Sequence, residues 1–316
     1  MYLPPHVRTL LAKQRYHLVG ERGHAAVKKC HWLHKALVDG SLCYKSWYGI
    51  QSHRCVQFTP MLSCPNACLH CWRLERGDVE GWDELSIGEL DDPETLIQGA
   101  LREQLRIVSG YKSNPKIDRV RLEEARHPKH FAISLAGEPT LYPMIGDLIG
   151  LLKSKDFTSF LVTNGLYPKT LSSLPYEPSQ LYVSINAPSE ELYRRVCRPS
   201  LKDAWTRLME TLDLIRSFKC PTVLRITLIK GVNDVDLEGY AKLVERAQPY
   251  YVEVKAYMYL GFSRRRLSLE NMPRHSEVVE FARSLSQLTG YELIADSLHS
   301  RVALLSRIGR PVKVSP

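Results

Sequence analysis

From about residue 128 onward, short apolar runs rich in β-branched and aromatic residues alternate with amphipathic stretches. A short apolar run predicts a buried strand, and apolar residues spaced three and four apart predict a helix that packs on it. An alternation repeated about six times predicts a parallel sheet with helical crossovers, curved into a full or partial barrel. The predicted fold class is therefore α/β, with a full or partial (β/α)6 barrel of the TIM-like type.

The predicted strands are Arg54–Thr59, His130–Leu135, Ser159–Thr163, Gln180–Ile185, Val223–Leu228 and Tyr251–Ala256. The predicted helices lie within 143–155, 189–196, 201–218, 237–247 and 276–289. A further helix is expected to begin at Asp92, because it is followed by a proline and an acid in the first turn. We expect one catalytic α/β domain at 54–316, preceded by a basic extension at 1–53 that carries cysteines.

The composition is that of a globular chain, with 44% hydrophobic and 24% charged residues among 316. This balance excludes a disordered or fibrous protein. No apolar run approaches the ~20 residues that span a bilayer, and the first residues lack the pattern of a secretory signal. We therefore expect a cytoplasmic protein with no membrane association.

Six of the eight cysteines lie within 42 consecutive positions. In a cytoplasmic chain of this size, such crowding indicates metal binding rather than disulfides. The other two, Cys197 and Cys220, lie far apart and are expected to be small buried hydrophobic residues.

Cys64, Cys68 and Cys71 form a C-x3-C-x2-C pattern in the loop after the first predicted strand. Structural zinc takes four protein ligands, usually from paired C-x2-C units, whereas this segment offers three. Three thiolates on a 4Fe–4S cluster leave one iron open for a substrate or cofactor. The spacing and position resemble the radical S-adenosylmethionine (radical SAM) superfamily, in which that iron binds the amino and carboxyl groups of S-adenosylmethionine.

Polar residues follow the later strands. Gly137 and Glu138 come after the second predicted strand, where the superfamily has its GGE-like segment. Extended backbone at Gly137 can accept hydrogen bonds from the methionine ammonium, with Glu138 as counter-charge. Asn164, Ser184 and Asn186 close two later strands, at the edge that faces the active mouth of such barrels. They are candidates for binding the cofactor's ribose or carboxylate, and ordinary turn capping is the alternative.

Cys30, Cys43 and Cys55 are too widely spaced for a local zinc knuckle, but all three closely precede the triplet. Three more thiolates predict a second 4Fe–4S cluster, again with an open iron, in this case for a substrate. Three unrelated core thiols are the alternative.

The formal net charge of +9 is concentrated at the two ends of the chain. Residues 1–60 hold nine Lys or Arg against two acids, and residues 261–316 hold nine against five. A basic, aromatic-rich end is typical of nucleic-acid binding, and solvated surface charge is the alternative. The candidate phosphate contacts are Lys28, Lys29, Lys35, Arg264, Arg265 and Arg266.

Five segments carry a more specific resemblance, to one family within this superfamily. They are CYKSWYGIQSHRCVQFTP (43–60), CPNACLHCWR (64–73), HPKHFAISLAGEPTLYP (127–143), LVTNG (161–165) and SRRRLSLENMPRHSEV (263–278). Together they resemble the tRNA 4-demethylwyosine synthase family, over nearly the whole chain. Eukaryotic members carry an additional flavodoxin-like domain. This chain has no room for one, so it resembles the short archaeal type, which takes electrons from a separate donor of the flavodoxin or ferredoxin type.

The resemblance implies a reaction in wybutosine biosynthesis. Pyruvate condenses with N1-methylguanosine at position 37 of phenylalanine tRNA, which builds the third ring of the base. The resemblance further implies that the C-x3-C-x2-C cysteines bind the cluster that cleaves S-adenosylmethionine. The second set, at 30, 43 and 55, matches an auxiliary cluster that positions pyruvate. Lys45 matches a lysine that forms a Schiff base with pyruvate.

A lysine amine is a suitable nucleophile when burial or nearby cations depress its pKa, and His53 and Arg54 are close to Lys45 in the sequence. A plain surface lysine is the alternative. Two other functions also stay open: another radical SAM enzyme with an auxiliary cluster, and a non-catalytic zinc protein that binds RNA. We expect a monomer.

Overall fold

A computed structural model describes residues 3–75, 77–79 and 88–316. Within them the strands are β1 (Tyr16–Val19), β2 (Ala25–Lys28), β3 (Cys55–Thr59), β4 (His130–Ile133), β5 (Thr158–Thr163), β6 (Gln180–Ser184), β7 (Thr222–Leu228), β8 (Tyr251–Ala256), β9 (Glu292–Ser297) and β10 (Val302–Ser306). The helices are α1 (Pro5–Lys13), α2 (His31–Val38), α3 (Pro93–Ser109), α4 (Arg119–Ala125), α5 (Ile145–Ser154), α6 (Pro168–Ser172), α7 (Glu190–Cys197), α8 (Ala204–Leu214), α9 (Leu237–Ala247) and α10 (His275–Thr289).

The six strands β3 to β8 run parallel and neighbour one another in chain order. They confirm the predicted partial barrel, and each begins and ends within two residues of its predicted bounds. The predicted start of α3 is also confirmed. The Asp92 side chain accepts a hydrogen bond from the Thr95 N–H at 3.0 Å, and Pro93 occupies the first turn.

Four further strands extend this sheet and were not predicted. At one edge β2 pairs antiparallel with β3, and β1 pairs with β2. At the other edge β10 pairs antiparallel with β8, and β9 pairs with β10. Part of the N-terminal extension therefore belongs to the same sheet as the barrel strands.

The two faces of the sheet bury different side chains, because successive residues of a strand point to opposite sides. Leu161 and Val183 belong to the large core that the helices share, whereas Phe160 and Tyr182 belong to a separate cluster on the inner face. A short 3₁₀ helix, Tyr44–Tyr48, covers the inner face.

The 3₁₀ helix is held from both sides. The ring of Tyr48 lies 5.4 Å from that of Tyr251, the first residue of β8. On its other side, the backbone N–H of Val314 donates to the Tyr48 carbonyl at 3.1 Å. Segments from both ends of the chain thus close the inner face near the amino end of β8, and the carboxyl ends of the parallel strands stay available for a site.

Across the described residues, every helix is either too short or too polar to cross a membrane.

The loops after β3 and β4 lie directly against each other at Gly137. This residue has φ +65°, and a Cβ there would lie 2.1 Å from the Met61 carbonyl oxygen and 2.6 Å from the Leu62 carbonyl carbon. Only glycine permits this backbone approach.

We expect Gly137→Ala to destabilise the protein more than Gly290→Ala does. Gly290 also has a positive φ, +71°, but a Cβ there meets nothing within 4 Å, so its substitution costs only the ~1–2 kcal/mol of the left-handed backbone. At Gly137 two loops must also move apart. Anaerobic thermal unfolding measures the difference, and an equal fall in Tm for both variants would contradict this reading.

Candidate active site

The loop after β3 carries the triplet Cys64, Cys68 and Cys71. It has little regular structure of its own, and the end of α7 holds it in place. The Ala67 N–H donates to the Cys197 carbonyl at 3.1 Å, and the Leu69 N–H donates to the Val196 carbonyl at 2.9 Å. The shape of the loop therefore depends on a helix more than a hundred residues away in the chain.

Arg266 holds the same loop from the other side. Its guanidinium donates to the carbonyl oxygens of Leu69 and Cys71 and to the Asp78 carboxylate, the last at 2.7 Å. Its side chain is buried, and its Nη2 lies 3.4 Å from the Glu75 carboxylate. The interpretation of Arg266 as a phosphate contact is therefore wrong, because its side chain is buried and is bonded to the cysteine loop through all three of its nitrogens.

Glu75 is a site residue that the sequence analysis missed. Its carboxylate accepts a hydrogen bond from the Cys68 N–H at 3.1 Å. Burial raises its pKa to about 7, and a hydrogen bond with the Cys71 thiol opposes that shift. An acid four residues after the last cysteine of the triplet was the available signal.

Glu138 joins the loop after β4 to the loop after β5. Its buried carboxylate accepts hydrogen bonds from the Thr140 N–H at 3.0 Å, the Thr163 hydroxyl at 2.7 Å and the Asn164 N–H at 2.7 Å. Burial raises its pKa, against the effect of these donors. The geometry makes Glu138 a residue that positions Asn164, and its role as counter-charge to a cofactor stays a prediction.

Asn164 is directed at the cysteine triplet. Its side-chain Nδ2 donates to the Cys64 sulfur at 3.7 Å, and its Oδ1 accepts from the Leu166 N–H at 3.0 Å. The side chain thus caps its own turn and also contacts one of the three thiols.

Ser184 and Asn186 differ in what they offer a ligand. Ser184 ends β6, half-buried on the same face as Tyr182. Asn186 is buried, and its Oδ1 accepts from the Thr227 N–H at 3.0 Å, while its carbonyl accepts from Asn233 at 2.9 Å. Asn186 therefore joins β6 to β7, which agrees with the turn-capping alternative.

The second set of cysteines meets beside the amino end of β3. Cys30 precedes α2, Cys43 precedes the 3₁₀ helix, and Cys55 begins β3. Burial raises the pKa of the Cys43 thiol to about 11 and that of Cys55 to about 12, and in both the charge of Cys30 adds to the shift. Three thiols from different segments are thus within electrostatic contact of one another.

Lys45 lies beside this second set. Its amine is 4.2 Å from the ring centroid of Phe160 and 4.7 Å from that of Tyr182. Burial lowers its pKa to about 8, the Arg225 guanidinium adds to the effect, and Glu253 opposes it. Lys45 is therefore an inner-face lysine, and the surface-lysine alternative is wrong.

The cation near Lys45 is not the one the sequence suggested. Arg54 donates to the His127 carbonyl at 2.9 Å, and His53 contacts the Glu124 carboxylate at 2.7 Å. Arg225, from β7, takes the place expected for these two residues. Nothing local in the sequence connects it to Lys45.

Glu253 is the buried anion of this region. Its carboxylate accepts hydrogen bonds from the hydroxyls of Tyr44, Tyr48 and Tyr182 at 3.1–3.2 Å. The Arg225 guanidinium donates two further hydrogen bonds to the same carboxylate, at 2.7 and 3.1 Å. The Glu253 side chain has no solvent exposure. These contacts connect the 3₁₀ helix to three neighbouring strands.

Arg73 lies between the two sets of cysteines. Its guanidinium donates to the Ser134 carbonyl at 2.7 Å. Burial lowers its pKa, while Tyr16, Cys71 and Cys30 raise it, so it interacts with one thiol from each set. The two sets therefore face a common space.

Trp72 and Lys28 lie near the same space. The Lys28 amine is 4.4 Å from the Tyr16 ring centroid and 5.2 Å from that of Trp72, and Arg73 contacts the Trp72 ring at 4.5 Å. Burial and then Arg73 lower the pKa of Lys28 to about 8.

The other candidate phosphate contacts are dispersed. Lys29 contacts the Tyr111 ring at 5.5 Å, and Lys35 is paired with an aspartate one turn away. Arg264 and Arg265 each contact an aromatic ring, at 5.1 and 4.7 Å. Phosphate contact by these residues stays a prediction.

Both cysteine sets have the donor chemistry of an iron–sulfur cluster with one open iron: three thiols, each able to bind a different iron atom. All eight cysteines lie in the described residues, and none forms a disulfide. In the same residues, no three His, Cys, Asp or Glu side chains are placed to hold one metal ion. Cys197 is buried as expected, whereas Cys220 is only half-buried.

The fold and the cysteine loop define a radical SAM enzyme, and comparison with known proteins agrees. The family model described as the radical SAM superfamily matches residues 58–244, and one described as wyosine base formation matches residues 246–307. The chain belongs to the family of S-adenosyl-L-methionine-dependent tRNA 4-demethylwyosine synthases.

Similar proteins cover nearly the whole chain. The synthase of Pyrococcus abyssi is 45% identical over an alignment of 312 positions that covers 96% of this chain and 90% of the relative. That of Methanocaldococcus jannaschii is 40% identical over 99% of both chains. A solved structure of TYW1 with a lysine–pyruvate adduct bound has a TM-score of 0.88 and 36% identity, over 99% of both chains.

Family membership decides between the functions left open by the sequence. The protein is an enzyme that uses S-adenosylmethionine and a 4Fe–4S cluster and acts on tRNA in wyosine synthesis. The alternatives of a zinc-binding RNA protein and of an unrelated radical SAM enzyme are therefore wrong.

We expect Asn164→Asp to lower the reduction potential of a cluster bound by Cys64. The aspartate keeps the bond to Leu166 but loses the donor to sulfur and adds negative charge, and both changes disfavour the reduced, more negative state. Redox titration followed by electron paramagnetic resonance measures the shift. Asn114→Asp, on the loop between α3 and α4, is the control for added charge, and an equal shift in both variants would refute the contact's role.

Proposed function

We propose that this enzyme condenses pyruvate with N1-methylguanosine at position 37 of phenylalanine tRNA to form the imidazoline third ring of 4-demethylwyosine. The position of Lys45 carries the proposal: a half-buried lysine with a pKa of about 8, whose amine lies against two inner-face rings beside the second set of cysteines. The description of a lysine–pyruvate adduct in the similar TYW1 structure supports it.

In this proposal the two cysteine sets bind two 4Fe–4S clusters. Cys64, Cys68 and Cys71 hold the cluster that cleaves S-adenosylmethionine, with Gly137, Glu138, Asn164, Ser184 and Asn186 around the cofactor. Cys30, Cys43 and Cys55 hold the auxiliary cluster. Residues 1–53 supply two of the auxiliary ligands, and residues 54–316 supply the barrel and the third ligand.

Lys45 activates pyruvate by forming an imine. At pH 7–8 a pKa near 8 leaves a substantial fraction of the amine neutral, and the neutral amine is the nucleophile that attacks the pyruvate carbonyl. The carbonyl oxygen leaves as water. The former carbonyl carbon is then held in the space that faces both cysteine sets.

The other reactant is a methyl group. An unactivated N-methyl C–H bond is too strong for acid–base catalysis, and S-adenosylmethionine with its cluster supplies the deoxyadenosyl radical that takes the hydrogen. The resulting methylene radical adds to the carbon held by Lys45, and the bond to the carboxylate then breaks, which restores the imine and releases the carboxylate as its radical anion. Transfer of one electron from that anion to the external electron carrier leaves carbon dioxide. The exocyclic amine of the guanine then displaces the Lys45 amine from the imine carbon, which closes the ring and frees the lysine. Arg73, between the two cysteine sets, lines the space where these carbons meet.

The target guanine reaches this space by leaving the anticodon stack, since position 37 lies in a loop whose bases can be unstacked. Basic residues near the two ends of the chain contact RNA phosphates. We propose that the enzyme works as a monomer and takes electrons from a separate donor of the flavodoxin or ferredoxin type. Anaerobic incubation with S-adenosylmethionine, pyruvate, a reductant and methylated tRNA tests the reaction, with nucleoside mass analysis as the readout.

We expect Cys68→Ala and Cys43→Ala to separate the roles of the two sets. Cys68→Ala abolishes S-adenosylmethionine cleavage, because two thiolates cannot hold the cluster with one open iron. Cys43→Ala spares at least part of the uncoupled cleavage and abolishes the tricyclic product. Iron content and deoxyadenosine formation are the measurements, and equal loss of cleavage with all iron gone would point to one shared site or to misfolding.

We expect borohydride to trap pyruvate on Lys45, at a position identified by peptide mapping. Lys45→Arg keeps the positive charge but cannot form an imine, because a guanidinium stays protonated. That variant binds both clusters, generates the deoxyadenosyl radical and makes no 4-demethylwyosine. Near-normal product from Lys45→Arg would exclude the imine.

A further inference from the structure

Lys255 lies on the same face of the sheet as the Glu253 network, one step nearer the carboxyl end of β8. Residues two apart on a strand share a face, and Glu253 is part of the inner-face network. The pairing of β7 with β8 agrees with this placement, since Arg225 lies beside Glu253 and Thr227 lies beside Lys255. Lys255 therefore stands above Glu253, toward the open end of the barrel.

The contacts of Lys255 place it beside Tyr44, the residue before Lys45, and near the second cysteine set. Its amine is 5.0 Å from the ring centroid of Tyr44, and it donates to the Ser300 carbonyl at 3.0 Å. It also interacts electrostatically with Cys43. The two lysines thus approach the second cysteine set together.

The two lysines have no carboxylate partner among the described residues, unlike Arg225. Arg225 is paired with Glu253 at 2.7 Å. Lys45 and Lys255 have no described carboxylate within ion-pair distance, and one hydrogen bond to Ser300 leaves Lys255 with donors to spare. A half-buried ammonium with unused donors is a suitable partner for the negative group of a substrate.

We propose that Lys255 binds the carboxylate of the 2-oxo acid whose carbonyl carbon is attacked by Lys45. This inference rests on the proposed function and adds a second residue to it. When Lys45 forms the imine, its nitrogen is bonded to the carbon next to the carboxylate, and the carboxylate stays free to accept hydrogen bonds from a second cation. Arg225 already gives two of its donors to Glu253, whereas Lys255 has donors available. The pair of lysines therefore recognises a 2-oxo monocarboxylate at both of its functional groups.

The test compares pyruvate with methyl pyruvate, which has the same ketone but no negative charge. Each is titrated against the anaerobic enzyme, and borohydride trapping on Lys45 is quantified by peptide mass. We expect Lys255→Met to raise the pyruvate concentration for half-maximal trapping about 10- to 100-fold, the value of a charged hydrogen bond. Trapping of methyl pyruvate stays within about twofold, because that probe has no carboxylate for Lys255 to bind.

Two further variants make the comparison specific. Lys255→Arg keeps a cation and is expected to recover most of the preference for pyruvate. Lys242→Met removes an exposed lysine of α9 and leaves both titrations unchanged. Retained iron and uncoupled S-adenosylmethionine cleavage show that a variant is folded, and Lys255→Gln, which keeps a donor for Ser300, replaces Lys255→Met if the latter loses iron.

The outcomes separate this inference from the proposed function. If the unaltered enzyme traps neither probe on Lys45, the imine itself is wrong. If it traps pyruvate but the neutral Lys255 variants keep its full preference over methyl pyruvate, the role of Lys255 is overturned. Equal weakening of both probes would also overturn it, because it would show a general effect on Lys45 rather than binding of the carboxylate.

Discussion

The carboxylate of Glu253 holds the N-terminal segment to the barrel. It accepts five hydrogen bonds, three from tyrosine hydroxyls and two from Arg225, with no exposure to solvent. A buried carboxylate is tolerated only when its acceptors are satisfied in this way. Two of the tyrosines lie in the 3₁₀ helix that carries Lys45, so this network sets the position of the amine. The same helix begins next to Cys43, which connects the network to the second cysteine set.

The first cysteine set is positioned by contacts from several separate elements rather than by one buried network. Its loop has few bonds of its own and takes its shape from neighbours: the end of α7, the Arg266 guanidinium and the close approach at Gly137. Glu138 also joins this region to the end of β5, by accepting a hydrogen bond from the Asn164 N–H. Elements remote in the chain thus place three thiols at the carboxyl edge of the sheet, where parallel strands bring their ends together.

The parallel strands, the cap at Asp92 and the crowding of cysteines could be predicted because each depends on a short stretch of sequence. The edge strands could not, since β1 (YHLV) and β9 (ELIADS) are short and mix polar with apolar residues. The proximity of Arg225 to Lys45 could not be predicted for another reason. Its relation to Lys45 arises only from strand order, which places β7 across the inner face from the N-terminal segment. Arg266 was misinterpreted because a run of arginines has the same composition whether it faces solvent or a buried loop.

The bond between the Val314 N–H and the Tyr48 carbonyl has a consequence for folding. It joins residues separated by nearly the whole chain, and such contacts form late because the intervening loop must first be ordered. During synthesis, the 3₁₀ helix that carries Lys45 gains this bond only after residue 314 has left the ribosome, when all the barrel strands are already made. The backbone on which Lys45 stands is therefore held on both sides only once the segment after β10 is in place.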